Sequence, residues 1–284
     1  MADVFLSLKF NPYHMQKVFH FFLVLLLLGC GSTQLQQTNP ESVAQGPDGV
    51  KGKLIVKKEA PIIAGAPIHT ESQVSTVSSK TELSSIAFSN TDAVREIMNF
   101  LASDVLQGRN SGSPGIEKAA VFIEKLFKEN SLKPYFISYR DTLSNYEKAA
   151  YNIVGVLEGT DPQLKNEFIV IGAHYDHIGI KSPIKGDTIA NGANDNAAGT
   201  TAVLELARYF GNAKTNKRSL VFALFSAEEK GLLGSKHLAK KLKEQEFNLY
   251  AMLNFEMVGV PMVGKDYLVY ASGYERSNMA DICN

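Results

Sequence analysis

Phe168-Ile169-Val170-Ile171-Gly172-Ala173-His174-Tyr175-Asp176-His177 is an apolar run that ends in an imidazole, a carboxylate and a second imidazole. The run has the length and composition of a strand buried on both faces, as strands of parallel sheets are. Open α/β sheets gather their ligands at the carboxyl ends of such strands, so His174 and Asp176 stand where a metal site is expected. Alternate residues of extended chain point to one side, which turns His174 and Asp176 toward the same spot. If His174 binds a metal through one ring nitrogen, Asp176 can accept a hydrogen bond from the other and fix the tautomer. His177 occupies the odd position and is expected to line or support the pocket.

A polar loop leads to Asn191-Gly192-Ala193-Asn194-Asp195-Asn196-Ala197-Ala198-Gly199. A helix is predicted over Asn196 to Phe210, with Val203, Leu204, Ala207 and Phe210 at helical spacing. Asp195, just before it, is as readily an N-cap as a ligand. A second apolar run, Ser219 to Phe225, leads into Ser226-Ala227-Glu228-Glu229 and a helix carrying Leu232, Leu233, Leu238 and Leu242. A third strand, Leu249 to Phe255, ends at Glu256. Upstream, helices are predicted over Asp92 to Ala102 and Gly115 to Asn130, and strands over Tyr135 to Tyr139 and Asn152 to Leu157. The Gly-rich stretch Gln107 to Gly115 matches neither a P-loop nor a dinucleotide fingerprint and is read as a loop. Strands alternating with helices predict an α/β fold of three layers, a mostly parallel or mixed central sheet flanked by helices. His174, Asp195, Glu228, Glu229 and Glu256 then converge at one edge. Glu228 and Glu229 at a helix start also have a structural reading, as complements to the helix dipole. Together, several carboxylates at buried strand ends call for a cation or for strongly shifted pKa values.

Around this core the composition is uneven. Lys+Arg and Asp+Glu number 29 each, so the formal net charge is zero and no basic footprint suggests nucleic acid as a partner. From Met15 a basic start precedes the apolar run Val18 to Leu28 and Gly29-Cys30, a pattern of signal peptide that is too short to span a bilayer. Leu27-Leu28-Gly29-Cys30 resembles a bacterial lipobox, which implies a lipid anchor on Cys30 and a cell-envelope location, periplasmic or on the outer membrane or cell surface. Residues 31–90 are rich in Gln, Ser, Thr, Pro and Gly, with no aromatic before Phe88, and are read as a flexible linker. The domain boundaries expected are 1–30, 31–90 and 91–284. His14, His20 and His69 lie outside the last of these, and His237, among Lys236, Lys240 and Lys241, is expected on a solvated face.

Several spaced motifs between Thr91 and Gly273 resemble the co-catalytic di-zinc aminopeptidases of metallopeptidase family 28. They are Leu101-Ala102-Ser103-Asp104 with Gly108-Arg109, His174 to His177, Asn191 to Gly199, Ala227-Glu228-Glu229 with Gly231 to Ser235, and Asn254 to Gly259. The resemblance implies two Zn2+ ions, peptide substrates and a peptide-bond hydrolase. His174, Asp195, Glu229 and Glu256 are implied as metal ligands, with Asp195 shared between the ions and Glu228 as general base; Asp176, from its place beside His174, is the second residue expected to be catalytic. Family members often carry Asp where this chain has Glu256. Water activated by two metals would attack the carbonyl, and Glu228 would pass its proton to the leaving amine.

The resemblance also implies one more His ligand in the C-terminal part of the domain, and no His follows His237. The expectation is therefore a peptidase domain that stops short of its full extent. Two alternatives remain at this level: a glutaminyl cyclase-like enzyme with a single zinc, and a catalytically inactive peptidase-like module.

Overall fold

A computed structural model describes residues 88–261, 263, 270–273 and 278. The signal, the lipobox with Cys30, nearly all of the linker, and His14, His20 and His69 lie outside them. In chain order the described elements are α1 (Thr91–Leu101), a short 3-10 segment (Asp104–Arg109), α2 (Pro114–Glu129), β1 (Lys133–Pro134), β2 (Arg140–Thr142) and β3 (Tyr151–Leu157). There follow β4 (Phe168–His174), β5 (Gly179–Ile184), β6 (Asp187–Ala190), α3 (Ala198–Ala213), β7 (Ser219–Phe225), α4 (Leu233–Glu244) and β8 (Leu249–Asn254).

Local chemistry accounts for the helix starts. Asn90 caps α1 by accepting from the Ala93 N–H at 2.8 Å. Ser113 caps α2, and Pro114 follows at a position where its missing N–H costs nothing. The apolar stripes of both helices, with Ile97, Leu101, Ala119, Ile123 and Phe127, enter one core with Val203, Leu204 and Ala207 of α3.

The sheet is six-stranded and mixed, in the order β1-β3-β7-β4-β8, with β2 also on β3. β7, β4 and β8 run parallel, whereas β3 runs antiparallel to β7. Every residue of β7 is buried, as its unbroken apolar run requires. Helices α1, α2 and α3 share a core with one face of the sheet. On the other face Leu238 and Leu242 of α4 pack on Val154, Val170, Val221, Ala223 and Phe225. Phe222, fully buried among the first group, contributes about 1.5–3 kcal/mol by that burial.

Two local expectations are corrected. Residues 135–139 form bends rather than a strand. Their aromatics are used edge-on instead: Tyr135 meets the rings of Phe136, Phe168 and Phe247 at 4.8–6.5 Å, a packing role that an alternating pattern cannot distinguish from pairing. Helix α3 begins at Ala198, because Asp195 (φ −112°) and Asn196 (φ −132°) are not helical.

The register of the parallel strands is what positions the site. His174 lies opposite Phe225 of β7, and Gly172 lies opposite Asn254 of β8. The end of β4 is thus level with the start of the Ser226–Glu229 turn on one side and with Glu256 on the other. Between β4 and α3 the chain leaves the sheet in the β5–β6 hairpin, whose base pairs Gly179 with Ala190.

Candidate metal centre

His174 is buried at the end of β4, with its Nε2 2.9 Å from Glu256 Oε1 and 3.2 Å from Asp195 Oδ1. Its Nδ1 faces the main-chain carbonyl of Asp176 at 3.1 Å, with the Asp176 carboxylate at 3.6 Å. A carbonyl in that place keeps the proton on Nδ1 and leaves Nε2 for a cation. Burial opposes a charge on this ring, but hydrogen bonds to Asp176, Asp195 and Glu256 overcome it and push the His174 pKa up to about 12. The same His174 bond, helped by the His177 charge, holds Asp195 below the usual carboxylate range against its partial burial. In the absence of a cation, a proton on His174 compensates these carboxylates.

Asp195 is not the cap of α3. That work falls to Asn196, fully buried, whose Oδ1 accepts from the Gly199 N–H at 3.0 Å and from the Met257 N–H at 3.1 Å. Its Nδ2 donates to the Phe255 carbonyl at 2.9 Å, so one amide side chain brackets Glu256 from both sides. Thr200 adds a bond from its hydroxyl to the His174 carbonyl at 2.9 Å. Asp195 is thereby left free to project toward His174.

The Asp176 carboxylate, completely buried, serves the neighbouring turn. Oδ1 accepts from the Glu228 N–H at 3.1 Å, and Oδ2 accepts from the Ser111 hydroxyl at 3.1 Å and the Glu229 N–H at 3.4 Å. Ser111 Oγ in turn accepts from the Ala227 N–H at 2.9 Å. Ala227 has a left-handed backbone, φ +55°, which a non-glycine residue adopts only when its surroundings enforce it. These bonds turn the chain sharply after β7, bringing Glu228 Oε2 to 3.9 Å from His174 Nε2. Burial raises the Glu228 pKa, with Glu256, Asp176 and Glu229 adding to the rise against the opposing effect of His174. A more basic carboxylate beside the ligands is suited to taking a proton.

His177 differs from its expected place. Its Nδ1 lies 2.7 Å from Glu229 Oε1 and 3.9 Å from Asp195 Oδ1. The alternation used for the sequence holds only to the end of β4 at His174; beyond it the chain turns, and odd and even positions no longer separate. Gly192 makes room for the ring, since a Cβ there would come within 2.6 Å of His177. A Gly beside a His was the signal available, and it was too general to read. His237, expected on a solvated face, is instead largely covered, with Nδ1 3.3 Å from the Ser144 hydroxyl and Nε2 3.4 Å from the buried Asp141 carboxylate. It stands apart from both ligand groups.

The donors fall into two groups that share Asp195: His174, Asp195 and Glu256, and His177, Asp195 and Glu229. Within each, the ligand atoms lie within 4.8 Å of one another. Zinc bonds of about 2.0–2.1 Å in a tetrahedron separate ligand atoms by roughly 3.3 Å, so the imidazole and carboxylate spacings fit such an ion. A cavity of 770 Å³ opens beside His174, Asp195, Glu228 and Glu256 and continues over apolar Val170, Phe225, Leu238 and Met252.

Residues 152–283 match the family model described as Peptidase family M28. A probable zinc metalloprotease of Pyrenophora tritici-repentis is 41% identical over 107 residues, which are 38% of this chain and 24% of that protein. A probable leucine aminopeptidase of Arthroderma otae is 32% identical over 159 residues, 53% of this chain and 40% of that protein. Among solved structures, the LapA aminopeptidase of Legionella pneumophila is 25% identical, with a TM-score of 0.48 over 68% of this chain and 50% of that one. The chain spans less than half the length of these curated relatives. The matched segment holds every ligand named above, and over it this chain is similar to peptidase family M28.

Proposed function

We propose that the chain is the metal-binding part of a zinc-dependent metallopeptidase that removes residues from the amino termini of peptides. The observation that carries this reading is the pair of ligand groups sharing Asp195, with the Glu228 carboxylate beside them, 3.9 Å from His174 Nε2. His174 and Glu256 would hold one ion with Asp195; Glu229 and His177 would hold the other. When bound, zinc polarises a scissile carbonyl and acidifies water near neutral pH. The protein's own part is to aim these donors and to move one proton. Glu228, made more basic by burial, accepts a proton from the attacking water and returns it to the leaving amine. Asp176 holds the Glu228 and Glu229 main chain, so its role is to orient the base. The family match and the names of the relatives support peptide substrates.

We also propose that the mature protein is anchored in the cell envelope through a lipid on Cys30. The basic start, the short apolar run and the Cys at its end support this. Labelling with a radioactive fatty acid, absent from a Cys30→Ser variant, tests it.

The catalytic reading is tested by elemental analysis of zinc together with hydrolysis of leucine p-nitroanilide by the full chain. About two zinc ions per chain are expected. Glu228→Gln should keep both and lose about 10²–10⁴-fold in rate. One zinc ion with cyclisation of amino-terminal glutamine would point to a glutaminyl cyclase-like enzyme, and no zinc with no turnover to a binding module.

A further inference from the structure

The Gly-rich loop before α2 carries a buried cation that the chemistry above does not use. Arg109 is 1% exposed, and among the described residues its guanidinium donates to main-chain carbonyls. Nε reaches Tyr175 O at 2.9 Å, one terminal nitrogen reaches Asn191 O at 2.6 Å as well as Leu101 O, and the other reaches Gly192 O at 2.9 Å. The Arg109 carbonyl accepts from the His177 N–H at 3.2 Å. Tyr175 and His177 flank Asp176, and Asn191 and Gly192 open the turn that leads to Asp195. The carbonyls of Tyr175, Asn191 and Gly192 belong to chain that has left the sheet and that of Leu101 ends α1, so no ladder can satisfy them.

We propose that Arg109 is the positioning residue of the metal centre, tying the backbone around Asp176 and His177 to the turn before Asp195 and so setting the spacing of the two ligand groups.

The loop is shaped for this task. Gln107, Gly108 and Arg109 all have positive φ, between +46° and +68°, which folds the segment back on itself. A Cβ on Gly108 would come within 2.5 Å of Ala190 O and 2.8 Å of Gly179 Cα, the two ends of the β5–β6 hairpin. The loop therefore plugs the gap where the chain leaves the sheet and returns, and from there Arg109 reaches both banks. A planar fork of donors suits several carbonyls in different directions; a lysine ammonium offers fewer, from a single point. The fixed positive charge also lies close enough to Asp176 and Asp195 to offset part of their repulsion, while burial lowers its own pKa only to about 10.

The test compares the full chain with Arg109→Lys, which keeps the charge, and Arg109→Met, which keeps most of the bulk. In metal-free protein, amide exchange at His177 and at Ala197, whose N–H is bound to Gly192 O, should speed up at least tenfold in Arg109→Lys while amides of β4 and β7 keep their protection. Zinc affinity, measured by competition with a chromophoric chelator, should fall about 10–100-fold. Arg109→Met should lose more of both. Unchanged exchange at His177 and Ala197 in Arg109→Lys would overturn the proposal, as would an equal loss of protection throughout the sheet, which marks a purely global role. The zinc measurement rests on the proposed metal-dependent function, but the exchange measurement does not. A chain that binds no zinc would refute that function and still decide the role of Arg109.

Discussion

The two ligand groups share a carboxylate but are built differently. His174 and Glu256 stand at or just past the ends of adjacent parallel strands, and the register of β4 with β8 sets them level. Their side chains are 2% and 12% exposed. His177 and Glu229 come from turns beyond the sheet, held by Asp176, Ser111 and Arg109, and are 11% and 18% exposed. One half of the centre is positioned by a ladder of main-chain bonds, the other by side chains reaching between loops. Ladder geometry survives the loss of any one side chain, whereas a loop held by a few polar side chains moves when one is lost.

The most drastic way to erase this contrast is to remove what both halves share. Asp195→Ala should lower bound zinc from about two ions to none at micromolar concentrations and cut hydrolysis by about 10³-fold or more, since several kcal/mol of transition-state stabilisation go with the metals. Retention of one tightly held ion would show that Asp195 serves a single group. A milder change should separate the halves. His177→Gln is expected to release one ion, weakening that site by about 100-fold or more, and to leave the His174 site within a few-fold of its original affinity. Equal weakening of both sites would mean that they form one cooperative cage.

The smallest effect is a dependence on pH that belongs to the strand-end group. The His174 pKa is raised from 6.5 to about 12 in the metal-free protein, so the stabilisation it provides is complete below pH 6.5 and is lost as pH rises toward 12. Asp195, lowered, contributes in the opposite direction, above its ordinary value, and loses that contribution as pH falls. Zinc must displace the His174 proton. Its affinity for this group should therefore climb about tenfold per pH unit between pH 7 and 9, with about one proton released per ion bound. Calorimetry in buffers of differing ionisation enthalpy checks this, and a pH-independent affinity would place the compensating proton elsewhere.

The same contrast explains what the sequence makes legible. The three apolar runs that end in His174, the Ser226–Glu229 turn and Glu256 are visible as strands because burial on both faces demands unbroken apolar residues. Their parallel arrangement follows from the intervening helices. The convergence of His174, Asp195, Glu228 and Glu256 could thus be read before any coordinates. His177 could not, because its position depends on where the chain stops being extended and on Gly192 in a distant turn. Asn196 and Arg109 were equally opaque. Each also bonds to main-chain atoms 59 to 83 positions away, and those contacts leave no local pattern. The aromatics of 135–139 misled for a related reason: their pattern fits a strand, but tertiary contacts between rings used it otherwise.

The β5–β6 hairpin leaves and rejoins the body of the protein at a base closed by the pairing of Gly179 with Ala190 and wedged by Gly108, while residues 182–188 are exposed. The side chains outward of that clasp face solvent and none of them is among the donors of either ligand group. A short epitope inserted between Ile184 and Asp187 is expected to leave zinc affinity within a few-fold of its original value, because the pairing of Gly179 with Ala190 and of Ile180 with Ile189 sets the distance between the stems beneath it; a chelator competition checks this.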